Sequence, residues 1–254
     1  MSKLKKIFKE KFPDWLFAAV VNLITEDIRI HRFENDWLVS HDGYTLRSPN
    51  AKHFGVYKKI FEERFESVFK IGKNDTVMDV GASIGETSVL FGEKSRHVIA
   101  IEPEPNNVRC LQYNLSKFSH EIIQKAAWNK NEKLKLFINK YVTGHSLLSN
   151  SGEGCNTGFI EVEADTLDNI YKKVGKKINF LKIDVQGAEM ACLEGAETLL
   201  SETEKIVIET HLIESGSTAP QVVKFLSNRD FKFEVKKHKY TADNTFFEIV
   251  HAWK

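Results

Sequence analysis

The chain has 254 residues, enough to bury a large core in one domain, or in one domain with an N-terminal addition. Lys plus Arg (36) nearly balances Asp plus Glu (35), which removes the bulk-charge argument for a nucleic-acid partner. The three cysteines, Cys110, Cys155 and Cys192, are odd in number and lack C-x-x-C spacing, which argues against a disulfide framework or zinc site and for a reducing, cytoplasmic setting.

Residues 1–12 interleave Lys3, Lys5, Lys6, Lys9 and Lys11 with Leu4, Ile7, Phe8 and Phe12, and an apolar run follows at 15–21. Asp14 and the lack of a small-residue cleavage site weaken a signal-peptide reading, and the run is far too short to span a bilayer. A helix docked on the main domain is expected, and residues 1–24 are also a candidate for weak peripheral membrane contact. Short strands at 28–30, 37–39 and 44–46, separated by Asn35-Asp36 and His41-Asp42-Gly43, predict a small β-meander capping the ligand site. Val56, Ile60, Phe61, Phe65 and Phe69 fall at helical spacing and predict an amphipathic helix over 54–69. Residues 1–70 are therefore read as an N-terminal cap and 71–254 as the main domain.

The segment 76–87 organises the rest. Val77, Met78 and Val80 make a short buried strand, Gly81 and Gly85 follow at once, and Thr87 to Phe91 can open a helix. A strand, a glycine turn and a helix N-terminus form a concave surface of N–H groups at the carboxyl end of a strand, where open α/β sheets bind ligands. The Gly81-x-x-x-Gly85 spacing lacks the third glycine of a dinucleotide fold, and no Gly-Lys-Ser/Thr follows as in a P-loop. Gly81-Ala82-Ser83-Ile84-Gly85 also spells the G-x-S-x-G of a hydrolase nucleophile elbow, so a serine hydrolase using Ser83 is an alternative. An elbow needs a substantial sheet before it, and no βαβ pattern precedes Thr76.

Glu102 ends the next apolar strand, 97–101, about 20 residues beyond Gly81, where a carboxylate can accept hydrogen bonds from two ribose hydroxyls. A strand ending in D-x-G-x-x-x-G and a second ending in Glu resemble class I S-adenosylmethionine-dependent methyltransferases. Downstream, Pro103-Glu104-Pro105 opens a helix carrying Val108, Leu111 and Leu115. Strands are expected at 121–124, 179–184 and 205–209, and half-exposed strands of period two at 133–138 and 159–163. Between the last two, 141–158 reads as a long loop with the length of a functional lid. Helices at 187–200, interrupted at Gly195, and at 219–228 lead to a closing antiparallel pair at 231–235 and 245–250. This alternation predicts an α/β fold, a doubly wound, Rossmann-like, mostly parallel sheet.

The block 179–189, with Lys182-Ile183-Asp184-Val185-Gln186-Gly187-Ala188-Glu189, resembles the K-I-D-V-E-G-A-E hallmark of FkbM-type methyltransferases. Asp165-Thr166-Leu167-Asp168 before it and Ile208-Glu209-Thr210-His211 after it are similar to family features, and the resemblance covers about 76–211. Gln186 departs from the family's usual Glu. The resemblance implies a seven-stranded class I sheet, S-adenosylmethionine as cofactor, and O-methylation of a hydroxyl on a sugar, glycan or secondary metabolite. It places Asp79 and the turn Gly81, Ala82, Ser83 and Gly85 around the methionine moiety, Glu102 at the ribose and Ala126 at the adenine, and it counts Pro103 and Asp184 as further cofactor contacts, Asp184 beside the methyl position. Methyl transfer to oxygen also needs a group to orient the acceptor and take its proton. Asp184, at the end of the fourth strand, is the first choice, and Lys182 on the same strand face can hold it ionised. Glu209 and His211 end the fifth strand two residues apart, facing one side, and His211 has the pKa for proton transfer. Glu189 reads as a helix-dipole partner with a second reading in the site. No metal is assigned, although Asp184, Glu189, Glu209 and His211 have the chemistry of a cation site. Ser146, in the long loop, is a candidate neighbour of cofactor or acceptor. A cofactor-binding protein whose acceptor site has decayed is the non-enzymatic alternative, and Gln186 is the residue that favours it. Oligomeric state is not legible in these residues.

Overall fold

The computed structural model describes residues 12–53, 58–139, 142–148, 156–239 and 246–254. The chain begins with α1 (Asp14–Ile24) and a three-stranded antiparallel meander, β1 (Ile28–Phe33), β2 (Asp36–His41) and β3 (Tyr44–Ser48). Phe17, Ala18 and Val21 of α1 pack on Ile30, Trp37, Val39 and Ala51, forming a small core of their own. Asn22 seals this contact, donating to Ile30 O and accepting from Ile30 N. The expected helix over 54–69 is α2 (Lys58–Phe65), with 54–57 outside the described residues.

From here strands and helices alternate: β4 (Thr76–Val80), α3 (Glu86–Lys94), β5 (His97–Ile101), α4 (Pro105–Asn114) and β6 (His120–Ile123). A short β7 (Ala126–Ala127), β8 (Glu132–Asn139) and β9 (Asn156–Asp165) follow, then α5 (Leu167–Val174) and β10 (Phe180–Ile183). The chain closes with α6 (Glu189–Glu194), α7 (Glu197–Glu202), β11 (Lys205–Thr210), the hairpin β12 (Leu212–Ile213) and β13 (Gly216–Ser217), α8 (Ala219–Ser227), β14 (Lys232–Lys239) and β15 (Phe246–Trp253).

Among the described residues seven strands form the main sheet, in the order β6-β5-β4-β10-β11-β15-β14. β6, β5, β4, β10 and β11 run parallel, and β15 is antiparallel to both of its neighbours, β11 and β14. The expected doubly wound, mostly parallel seven-stranded sheet is therefore present. Strand order reverses between β4 and β10, and the crevice at the carboxyl ends of strands at such a switch point is where open α/β sheets bind ligands.

The two faces follow the period of two. Met78, Val80, Ile99, Ile101, Leu181, Ile183, Ile206 and Ile208 turn to one side, where α5, α6, α7 and α8 cover them. Val77, Val98, Ala100, Phe180 and Val207 turn to the other, against Phe61 and Phe65 of α2, Phe91 of α3 and Leu111 of α4. The segment 1–70 is thus divided: α1 and most of the meander have their own core, whereas α2 belongs to a layer of the main sheet.

Three details differ from the sequence reading. β8 and β9 pair with each other and with β7 in a separate three-stranded sheet. The long connection at 141–158 contains a 3₁₀ turn, Val142–Gly144, and β9 already begins at Asn156, while 140–141 and 149–155 lie outside the described residues. Residues 166–178, assigned no element from sequence, carry α5, whose Leu167, Ile170 and Val174 are buried at helical spacing and whose N-cap Thr166 accepts from Asn169 N.

Polar contacts join the meander to α4. Asp36, 1% exposed, is bound by Arg47 and Arg109, and although burial works against its charge, the two guanidinium groups hold its pKa below the usual carboxylate range. Asn114 at the end of α4 accepts from Arg47 N (2.7 Å) and donates to Arg47 O (3.0 Å) and to Ile84 O (2.7 Å) in the glycine turn. Asn114→Ala leaves these backbone groups unpaired and is expected to cost about 1–3 kcal/mol of stability. A urea midpoint equal to wild type would contradict this linkage.

Candidate functional site

The glycine turn after β4 is built by close approach. Gly81 has φ +76°, and a Cβ there would lie 1.8 Å from the carbonyl oxygen of Asp184, so only glycine lets β4 and β10 close together at this point. Gly85, at φ +98°, caps α3 and faces Leu111, which a Cβ would meet at 2.7 Å. The N–H groups of Gly81 and Ala82 both donate to Ile101 O, tying the turn to β5. Ser83 takes φ +52°, unusual for a residue with a side chain, and donates its N–H to Glu102 Oε2 at 2.9 Å. Its hydroxyl is buried without a hydrogen-bond partner among the described residues, so no histidine base contacts it there and the nucleophile-elbow reading has no support in the geometry.

Glu102 is 5% exposed and also accepts from Glu104 N (3.0 Å) and Asn107 Nδ2 (3.3 Å). Burial pushes its pKa up to about 7, against the pull of these N–H groups. Pro103 follows, partly buried, and Glu104 caps α4 by accepting from Asn107 N, as its proline-rich start predicts.

Beneath the turn lies a buried charge pair. Asp79 and Lys182 are register partners on β4 and β10, 0% and 2% exposed, and Lys182 Nζ stands 2.9 Å from Asp79 Oδ1. Lys182 also donates to Gly81 O at 3.0 Å, while Asp79 Oδ2 accepts from Thr87 and Ser88 hydroxyls of α3. Burial opposes the ammonium charge, but Asp79 and Asp184 outweigh it and raise the lysine's pKa above its ordinary value. Both side chains are buried and engaged with each other, with the glycine turn and with the start of α3.

The ends of β10 and β11 carry a cluster of acids and one histidine. The Asp184 side chain is 23% exposed; its Oδ1 accepts from Gln186 Nε2 at 2.8 Å and its Oδ2 lies 3.8 Å from Lys182. Gln186 is therefore a donor to Asp184, a role that a glutamate at this place would not fill. Ser146 of the connection after β8 donates to Gln186 O, bracing the same turn. Glu209 is 5% exposed; burial, then the Asp184 charge, raises its pKa, and Arg64 of α2 reaches to 3.6 Å of it. Asp184, Glu209 and His211 bring one donor atom each within 4.8 Å of one another, the grouping among the described residues with metal-ligating chemistry. Lys182 and Arg64 already offset the two carboxylates.

His211 is 8% exposed, its Nδ1 2.8 Å from Glu189 Oε1 and its Nε2 3.6 Å from Asp184 Oδ1. Glu189 itself is fully buried and also accepts from Gly187 N, so it is a support for the histidine rather than a dipole partner alone. Burial lowers the tendency of His211 to protonate, but Glu189, Asp184 and Glu209 overcome this and push its pKa up to about 9. At neutral pH it is an imidazolium, a donor and not a base. Because the folded pKa exceeds the ordinary 6.5, His211 stabilises the fold fully below about pH 6.5 and loses that contribution as pH rises through about 9. The difference in melting temperature between wild type and His211→Gln is expected to shrink over that window, and a difference independent of pH would contradict the assignment.

Ala126 is 2% exposed, its side chain packed with Leu136, Val162 and Ala164 in the small sheet. Two contacts escape sequence reasoning. Arg64 stacks on Phe247 (4.5 Å) while reaching Glu209, and His53 stands 2.6 Å from Glu86 at the first residue of α3. Burial raises the Glu86 pKa, but His53 and the Lys182 charge more than offset this and leave it below the carboxylate range. Nothing local in the sequence marks either residue, because each partner is brought from a distant segment.

Comparison with known proteins places this architecture. The family model "Methyltransferase FkbM domain" matches residues 79–233, more than half the chain. Methyltransferase sdnD of Sordaria araneosa is 23% identical over 238 residues, spanning 78% of this chain and 88% of that protein. Hexuronic acid methyltransferase AglP of Haloferax volcanii is 23% identical over 221 residues, spanning 80% and 89%. The AMB antimetabolite synthetase AmbE of Pseudomonas aeruginosa is 26% identical over 208 residues, 65% of this chain but 10% of that protein. Among solved structures, an uncharacterized protein from Listeria monocytogenes serotype 4b matches with TM-score 0.50 at 14% identity, over 78% of this chain and 67% of that one. M. capricolum TrmK with S-adenosyl-homocysteine matches with TM-score 0.45 at 9% identity, over 72% and 64%. With its glycine turn, its Lys182–Glu189 block and its seven-stranded sheet, the chain belongs to the FkbM methyltransferase domain family.

Proposed function

We propose that the protein transfers a methyl group from S-adenosylmethionine to a hydroxyl oxygen of a small hydroxylated molecule, a sugar, glycan or secondary metabolite. The observation that carries this reading is the closure of Gly81 on Asp184, which sets a nucleoside-type cradle beside an acid cluster in one crevice. The cradle fits the cofactor: Ser83 Oγ is a buried hydroxyl without a partner, and Glu102 is a desolvated carboxylate with acceptor capacity beyond its three N–H donors. When bound, the sulfonium supplies an electrophilic methyl, whose bond to sulfur breaks as the bond to oxygen forms, leaving the electron pair on sulfur. Glu102 would receive the ribose hydroxyls, and the turn Gly81–Gly85 would hold the amino-acid portion.

Asp184 is the base of this reading. It is the more exposed carboxylate of the cluster, Gln186 fixes its Oδ1, and Oδ2 is left to take the acceptor proton. His211, protonated and anchored on Glu189, orients the acceptor by donating through Nε2, and Glu209, paired with Arg64, closes the site behind it. Lys182 supports from below. The acceptor is a small molecule or glycan and not a nucleic acid, in keeping with the balanced charge. The similarity to AglP makes hexuronic acids the acceptors to try first.

Asp184→Asn is the direct test. It is expected to lower kcat by about 10²–10⁴-fold, the usual worth of a general base, while S-adenosylhomocysteine affinity stays within about threefold of wild type. An unchanged kcat, or a variant that loses cofactor affinity as much as turnover, would remove Asp184 from this role.

A further inference from the structure

α1 is apolar on both of its sides. Phe17, Ala18 and Val21 are spent on the meander core, yet the opposite side presents Trp15, Ala19 and Leu23 at i, i+4 and i+8, with Leu16, Val20 and Ile24 beside them. Trp15, Leu23 and Ile24 are 65%, 85% and 68% exposed. A surface helix ordinarily turns charged residues outward. The two polar residues of α1 are committed elsewhere, Asp14 to Ala51 N and Lys52, and Asn22 to the backbone of Ile30. The outer face therefore has no polar group of its own.

The sequence running directly into α1 carries Lys3, Lys5, Lys6, Lys9 and Lys11 against a single acid, Glu10. Basic residues joined to an apolar helical face have a complement in an anionic lipid surface, where lysines meet headgroup phosphates and the apolar side enters the acyl boundary. Among the described residues no helix is long and apolar enough to cross a membrane. We propose that residues 1–24 hold the protein on an anionic membrane surface, with the outer face of α1 as the inserted element. Trp15 suits the interface, having an apolar ring and one N–H donor.

The test is sedimentation of the full chain with phosphatidylcholine vesicles, with and without phosphatidylglycerol. Wild type is expected to partition onto the phosphatidylglycerol vesicles, less so in high salt. A Trp15→Ser/Leu23→Ser variant and a Lys5→Gln/Lys6→Gln/Lys9→Gln variant should each lose at least tenfold in partition coefficient. Because the substituted residues of the first variant lie outside the meander core, both variants should keep the wild-type melting temperature and S-adenosylhomocysteine affinity. Wild type that stays with the supernatant overturns the proposal, as does binding that ignores lipid charge and both variants. A wild-type dimer in light scattering that the Trp15/Leu23 variant converts to monomer, without vesicle binding, overturns it in favour of a second copy of the chain. None of these outcomes depends on the reaction catalysed.

Discussion

The site hangs from the buried pair of Asp79 and Lys182. A lone charge at either position would carry a severe desolvation penalty, so the two are held together across β4 and β10 at the register where they face each other. Each then uses its remaining capacity on the crevice: Lys182 on Gly81 O, Asp79 on the hydroxyls that start α3. The turn, the helix N-terminus and the end of β10 are thus fixed to one another by two buried side chains. This explains why the Lys182–Glu189 block and the glycine turn, a hundred residues apart in sequence, form one structural unit.

Around that pair the sheet supplies position and the caps supply pressure. Parallel strands buried on both faces bring their carboxyl ends to one edge, and the reversal of strand order between β4 and β10 opens the crevice there. Asn114 joins the meander to Ile84 in the turn, Arg64 of α2 comes up beside Glu209, and His53 meets Glu86. The segment before Thr76 therefore takes part in shaping the site. The division of labour within the acid cluster follows from burial: Glu189 and His211 form a closed, charged support, and the less buried Asp184 faces outward.

The sheet was legible because its signal is local and redundant. Each strand reads as an apolar run ended by a turn, and the two glycines can only serve a tight approach. Glu102 was legible for the same reason, since a strand end followed by a proline-started helix fixes where its carboxylate stands. What sequence could not show is depth. Asp79 and Lys182 carry the same letters whether they are exposed or buried against each other, and only the cross-strand register brings them together. β7 leaves the main sheet for the small one and takes the Ala126 side chain into that sheet's core, a branching that no periodicity announces. Gln186 read as a departure until its amide was seen to donate to Asp184. α5 is short, with only Leu167, Ile170 and Val174 to mark its buried face, so its helical period is a weak signal in the sequence.

Calorimetric titration with S-adenosylhomocysteine, on wild type and on Glu102→Ala, tests the central claim most directly. The account predicts micromolar binding to wild type that weakens about tenfold or more in the variant, the worth of a charge-assisted hydrogen-bond pair to the ribose. Absence of binding to wild type, or equal affinity of the two proteins, would contradict it.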